Sequence, residues 1–152
     1  MTTTAFTGPV ATFTEKPDGT AAGYSDMGFC AMSQTTLLTQ NSTNAVSSTL
    51  YMPFGSQIVD IIVDVLVAFD SATSATLTAG TAAAGTQYAS GVNAKTAGRV
   101  RPTFTAAQLA AMDDIGTTPQ VVFTITPVGA TTAGSVRVTV LYVQQPQAGD
   151  TP

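Results

Sequence analysis

The strongest constraint on the fold is a run of alternating side chains at residues 59–69. The odd positions are apolar and mostly β-branched: Val59, Ile61, Val63, Val65, Val67 and Phe69. The even positions include two carboxylates, Asp60 and Asp64. Successive side chains of a strand point to opposite faces, so a period of two predicts a β-strand, and the many β-branched residues disfavour a helix. We therefore predict a strand at the centre of the core, with the odd positions buried and both carboxylates on the other face.

The rest of the chain is typical of short strands separated by turn residues. Strands are predicted at 33–40, 46–52, 75–79, 98–104, 120–126 and 135–143, and residues 80–97 predict a long loop or a short edge strand. Pro102 confines its strand to an edge, and 129–134 predicts a hairpin loop between the last two strands. Thr105 and Gln108 fit a capping box, which predicts one short helix. The whole pattern predicts an all-β fold: an antiparallel β-sandwich, jelly-roll-like, with one short helix and an extended N-terminal arm.

Three regions of the chain differ in composition. Residues 1–27 are rich in Thr, Gly and Pro and form the predicted arm, with a short strand at 10–14 and apolar side chains at Phe6, Val10 and Phe13. Two interpretations of this arm stay open: disorder, or an extended segment that orders against a neighbouring subunit. Residues 28–143 form the predicted β-sandwich domain, and residues 144–152 a flexible C-terminal tail.

Charged side chains are scarce, at 9% of the chain, against about 25% in ordinary soluble domains. Charges are depleted where proteins bury surface against each other, because each charge must be desolvated, so the composition favours a protein-binding surface. The net charge of −4 and five scattered basic residues argue against direct nucleic-acid binding. The sequence shows neither a signal peptide nor an apolar run long enough to span a membrane, so we expect no membrane partner.

The residue types that usually carry catalysis or bind metals are few. The sequence has no His and a single Cys, Cys30, which leaves no candidate for a catalytic triad, a zinc cluster or an internal disulfide. Asp113 and Asp114 are adjacent and suggest a calcium site, but no spaced set of oxygen ligands accompanies them, and a solvated loop is the alternative. We expect no enzyme activity, no cofactor and no metal.

Four charged residues on predicted strands form a candidate interaction site. Asp60 and Asp64 share one strand face, and Arg99 and Arg101, two residues apart, also share a face. Three interpretations stay open: a charged seam against another subunit, ion pairs between strands that also involve Arg137, or ordinary exposure to solvent. Together with the arm, the predicted interface comprises Phe6, Val10, Phe13, Asp60, Asp64, Arg99 and Arg101.

Several sequence motifs occur in a characteristic order. From residue 58 the chain reads IVDIIVDVLVAFD, followed by LTAG, YAS, KTAGR and TAAQLAAM, and it closes with VVFTITPVGATTAGSVRVTVLYV. This order resembles small structural proteins of tailed bacteriophages, and the closing segment is similar to their last strands. The resemblance spans residues 46–143 and does not include the N-terminal arm.

The resemblance implies a head decoration protein, also called a capsid cement protein. Such a protein is a homotrimeric β-sandwich on the capsid surface of the virion, where it clamps copies of the major capsid protein together, and it is made in the cytoplasm of a bacterial host. Two alternatives stay open: a tail-tube or head–tail structural component, and a carbohydrate-binding β-sandwich on the virion surface. The absence of Trp and the presence of only four Tyr disfavour the carbohydrate binder, which needs exposed aromatic rings for stacking.

Overall fold

The computed structural model describes residues 31–40 and 42–144, which form two four-stranded antiparallel sheets. The elements are β1 (Ala31–Thr39), β2 (Val46–Tyr51), β3 (Ser56–Val67), β4 (Ser74–Gly80), β5 (Ala89–Asn93), β6 (Gly98–Val100), α1 (Ala106–Asp113), β7 (Gln120–Val128) and β8 (Ser135–Gln144). The predicted antiparallel sandwich is confirmed. The predicted arm at 1–27 lies outside the described residues, as does the predicted tail at 144–152 except for Gln144, which is the last residue of β8. The helix found in the described part is eight residues long, too short to cross a membrane.

The strand order is that of a jelly roll. Sheet A has the order β1-β8-β3-β6, and sheet B has the order β2-β7-β4-β5. The strands therefore pair as β1 with β8, β2 with β7, β3 with β6 and β4 with β5. Each pair is nested inside the one before, which is the double Greek key of an eight-stranded jelly roll. The jelly-roll prediction is confirmed.

The predicted hairpin of the last two strands is wrong. β7 lies inside sheet B between β2 and β4, whereas β8 lies inside sheet A between β1 and β3. Each of these strands is strongly apolar on its inward face, with fully buried side chains such as Phe123 and Val138. Each strand therefore buries more apolar surface when it lies between two neighbours of its own sheet. The connection at 129–134 crosses from one sheet to the other. A six-residue loop containing glycine fits a hairpin as well as a crossing, so the loop itself does not decide between them.

β3 is the predicted central strand, but two bulges change which of its side chains are buried. The register against β8 shifts next to Val59 and again next to Leu66. The three middle odd positions are buried as predicted: Ile61, Val63 and Val65. However, Val59 and Val67 are 55% and 50% exposed, and Ile58 points into the core instead. A bulge adds one residue to a strand, which reverses the inward and outward alternation beyond it.

One end of the sandwich is closed by Phe69, in the connection between β3 and β4. Its side chain is 2% exposed, and its backbone N–H donates to the carbonyl oxygen of Ala94 at 3.1 Å, in the connection between β5 and β6. Its ring lies against Gly134, in the connection between β7 and β8, where an added Cβ would stand only 2.4 Å from Cδ1 of the ring. Phe69 thus joins three crossing connections in one packed cluster.

The capping box of α1 is confirmed. The backbone N–H of Gln108 donates to Oγ1 of Thr105 at 3.3 Å, and the backbone N–H of Thr105 donates to Oε1 of Gln108 at 2.9 Å. The buried Gln108 amide also donates through Nε2 to the carbonyl oxygen of Thr86 at 3.1 Å. One glutamine therefore caps the helix and attaches it to the connection between β4 and β5.

We expect Thr105→Ala to lower the free energy of unfolding by about 1 kcal/mol, because the substitution leaves the Gln108 N–H without its side-chain acceptor. Urea denaturation monitored by circular dichroism measures the change. Thr105→Ser keeps the acceptor and is the matched control, for which we expect most of the stability to be retained. Equal loss in both variants would contradict a capping role.

Candidate interaction surfaces

The outward side of sheet A, named face A here, carries a row of charged side chains. In the strand register Asp64 of β3 lies opposite Arg137 of β8 on one side and Arg99 of β6 on the other. The Asp64 carboxylate accepts hydrogen bonds from Arg99 Nε at 2.7 Å and Arg99 Nη2 at 3.2 Å, and from Arg137 Nη2 at 2.8 Å. Two guanidinium groups from opposite neighbours thus cover one carboxylate, which explains why this outward-facing residue is only 8% exposed.

These hydrogen bonds set the ionisation of the carboxylate. Hydrogen bonds from Arg99 and then from Arg137 stabilise the charged form and lower the pKa of Asp64 from 3.8 to about 2, against an opposing contribution from burial. The same contact with Asp64 raises the pKa of Arg99. Asp64 and Arg99 therefore stabilise each other in their charged forms.

A consequence of the lowered pKa is a stability that depends on pH. A carboxyl group with a lower pKa in the folded state than in the unfolded state stabilises the fold above its unfolded value. For Asp64 this stabilisation is complete above 3.8 and is lost as the pH falls to about 2. We expect the thermal midpoint of the wild-type protein to fall across this window, and to fall less in Asp64→Asn.

The measurement is differential scanning calorimetry at steps from neutral pH to about pH 2. Asp70 is a second source of acid sensitivity, since its hydrogen bonds from Thr132 and Ala133 lower its pKa. Asp70→Asn is therefore measured in parallel to separate the two contributions. If Asp64→Asn and the wild type lost the same stability across the window, the ion cluster would have no role in it.

The structure brings together the four predicted charged residues that it describes. Asp60 lies on the same face of β3 as Asp64, and its Oδ2 is 3.6 Å from Nη1 of Arg101. The prediction of ion pairs between strands is confirmed for both carboxylates, with Arg137 as a third cation. Contact between this face and another subunit stays a prediction. The other members of the predicted interface, Phe6, Val10 and Phe13, lie outside the described residues.

The outward side of sheet B, named face B here, is different in chemistry. Its strands have the sequences VSSTLY, SATLTAG, ASGVN and QVVFTITPV, which contain no charged residue. Its outward side chains are mainly hydroxyls, such as Ser47 and Thr124, whose oxygens are 2.8 Å apart. Tyr51 and Val128 add exposed apolar surface at opposite ends of the face. Sequence reasoning identified the shortage of charge but not that one whole face would be free of it.

Part of face B is covered by the connection between β4 and β5. The backbone N–H of Ala84 donates to Oγ1 of Thr124 at 2.9 Å, and Nε2 of Gln120 donates to the carbonyl oxygen of Thr81 at 2.9 Å. Gly80 permits this close approach, because a Cβ there would lie 2.6 Å from the backbone carbon of Gly85. The uncovered part of face B extends from β2 to Val128.

The described residues offer little for chemistry or metal binding. A cleft of about 430 Å³ lies between α1 and the start of β5, lined by small or neutral side chains such as Ser90, Thr105 and Ala107. In the described part of the chain, no three His, Cys, Asp or Glu side chains come together as metal ligands do. Asp113 and Asp114 are separately engaged: Asp113 accepts from Gln57 at 2.9 Å, and Asp114 accepts from the backbone N–H of Gly116 at 2.7 Å.

The eight-stranded jelly roll defines the class of fold to which this chain belongs. Among solved structures, a chain titled as part of the cyanophage Pam1 capsid asymmetric unit has a similar fold, with a TM-score of 0.58 over 83% of this chain and 93% of that chain. The two sequences are 20% identical, so the likeness is one of fold. No family model matches this chain, and no curated protein matches it.

Proposed function

We propose that this chain is a structural protein of a tailed-bacteriophage virion that decorates the capsid, binding the major capsid protein as a homo-oligomer. A trimer is the expected assembly. The observation that carries the proposal is the charge-free face B on a jelly roll whose fold is shared with a chain of a phage capsid. The proposed location is the capsid surface, and the action is adhesive, with no bond made or broken.

Face B is suited to adhesion for a physical reason. A charged side chain buried at an interface must lose its water shell, whereas Ser and Thr hydroxyls exchange hydrogen bonds with water for hydrogen bonds with a partner. A standard interface buries about 800 Å² on each partner. Many symmetric copies on a shell bind together, so each single contact can be of modest strength.

The direct test is binding to capsids of the phage that encodes the chain, assembled without this protein. Purified protein is mixed with such particles, and bound protein is measured after sedimentation. We expect saturable binding and greater resistance of the particles to heat. The proposal would be contradicted if the particles sedimented without bound protein when the protein concentration was well above that in an infected cell.

The predicted arm contributes to this binding in the proposed account. We expect deletion of residues 1–27 to weaken binding to capsids, because an arm that orders on a neighbour adds contact area. Binding of the deleted and complete chains is compared on the same particles. Unchanged occupancy would show that the arm has no role on the shell.

A further inference from the structure

Among the described residues, the longest strand edge without a neighbouring strand belongs to β1. β1 pairs with β8 over nine consecutive residues without a register shift, and its sequence AMSQTTLLT contains no charge and no proline. Proteins usually protect an exposed edge with charges, proline, bulges or very short strands, because a regular edge pairs readily with another chain. β1 has none of these devices.

The direction of the free backbone groups follows from the register. The N–H of Gln40 donates to the carbonyl oxygen of Gly134 at 2.9 Å, one step beyond the paired strands. Hydrogen-bonding direction alternates along an antiparallel strand, so the even-numbered residues of β1 point their backbone groups to β8. Ser33, Thr35 and Leu37 therefore point theirs away from the sheet, and no hydrogen bond from the described residues reaches those groups.

The other edges are each blunted. β6 has only three residues and is followed by Arg101 and Pro102. β5 contains Gly91 at a φ of 67°, and its pairing with β4 is irregular. β2 has six residues, and the carbonyl oxygen of Tyr51 at its end already accepts from Nε2 of Gln34 at 2.7 Å. An extended strand would thus find its best template on β1.

The chain itself contains a segment of matching chemistry. Residues 1–14 carry no charged side chain, and residues 10–14 read VATFT, the segment predicted as a short strand. The segment at residues 21–28, shortly before β1 in the sequence, includes Gly23, Asp26 and Gly28, which are poor strand formers and disfavour a simple hairpin with β1.

The length of the connection favours pairing between copies. Residues 15–30 separate the VATFT segment from β1 and can span up to about 55 Å, whereas β1 is about 30 Å long. A connection of this reach allows the VATFT segment to extend beyond its own β1 to a second copy, as in the exchange of an element between protomers.

We propose that residues 10–14 of one copy add as a strand to the outward edge of β1 in a second copy. Each copy donates one segment and accepts one, so every edge is filled in a closed assembly, and a head-to-tail ring of three is the form expected for the proposed trimer. Strand exchange deepens the homo-oligomer of the proposed function and is tested in solution without capsids, so its failure can be distinguished from a failure of capsid binding.

The first experiment is disulfide trapping between two full-length variants. Both carry Cys30→Ser; one carries a single cysteine at position 10, 12 or 14, and the other carries Thr35→Cys. They are mixed, exchanged and oxidised with oxidised glutathione. We expect covalent dimers that contain one chain of each variant, identified by mass. Thr35→Cys homodimers would instead indicate β1 pairing with β1, and an intrachain disulfide in a chain carrying both cysteines would indicate pairing within one copy; either result overturns the proposal.

The second experiment is the mass of the assembly by light scattering. Thr35→Pro removes an outward N–H of β1, and Thr49→Pro removes an outward N–H on the shorter edge of β2, so each variant replaces an exposed threonine of an edge strand by proline. We expect Thr35→Pro to give folded monomers and Thr49→Pro to keep the wild-type mass. A wild-type monomer, or an unchanged mass in folded Thr35→Pro, overturns the proposal; if Thr35→Pro does not fold, Thr12→Pro in the donated segment gives the same test.

Discussion

Phe69→Ala is expected to lower the free energy of unfolding by about 3–5 kcal/mol. The ring is almost fully buried at the end of the sandwich, and its removal leaves a cavity bounded by connections that carry little apolar surface of their own. Backbone held by the hydrogen bond to Ala94 cannot collapse freely into that space. Urea denaturation measures the change, with Leu66→Ala as control: Leu66 is 50% exposed, so a change within about 0.5 kcal/mol is expected.

Gly134→Ala tests the same cluster from the other side. The new methyl group would overlap the Phe69 ring, and overpacking of this kind costs about 1–3 kcal/mol. In the double variant the alanine at position 69 leaves room for the methyl group, so we expect the combined loss to be smaller than the sum of the single losses. Strictly additive losses would mean that the two residues do not pack against each other.

Val128→Lys is expected to weaken binding to capsids by about tenfold or more. Val128 is an exposed residue of face B, and a lysine at that position must be desolvated when the face is covered. A factor of ten requires only about 1.4 kcal/mol. Co-sedimentation with particles over a range of protein concentrations measures the affinity.

The matched control for Val128→Lys lies on the other sheet. Leu66 is 50% exposed and Val128 is 49% exposed, so Leu66→Lys makes the same kind of change at an equally accessible strand position. We expect Leu66→Lys to bind capsids like the wild type. If Leu66→Lys lost binding and Val128→Lys kept it, the docking surface would be face A, with its cluster of ion pairs.

The strand content of the fold could be predicted because it depends on local patterns. The alternation in β3 and the Thr105–Gln108 capping box are both local: the strand forms with Ile61, Val63 and Val65 buried as expected, and the capping box is present. The bulges next to Val59 and Leu66 could not be predicted, since they arise from matching β3 to β8 in three dimensions.

The C-terminal end of β7 differs from the predicted strand end. The predicted strand ends at residue 126, one residue before Pro127, and a proline inside a strand has no N–H to donate. In the structure β7 continues to Val128, with Pro127 opposite Ala75 of β4. The Pro127 nitrogen points to the side of β2, whose pairing with β7 ends at Val46 opposite Ile125, so no hydrogen bond of the β2–β7 ladder requires an N–H at position 127. A proline is therefore tolerated inside the strand where its neighbour stops.

The candidate surfaces depend on the arrangement of strands more than on composition. The pairing of carboxylates with arginines was one of three interpretations, and only the register of β6, β3 and β8 places Asp64 between two arginines. The concentration of charge on face A and its absence from face B follow from the division of strands between two sheets. A division of this kind cannot be derived from the order of strands along the chain.

Cryo-electron microscopy of virions that contain this chain tests the central claim most directly. We expect density for the jelly roll on the outer surface of the capsid, with face B against the major capsid protein. We expect the N-terminal segment of one copy to lie beside β1 of the neighbouring copy. Virions with this density in the tail, or with a bare capsid although the chain is present in the particle, would contradict it.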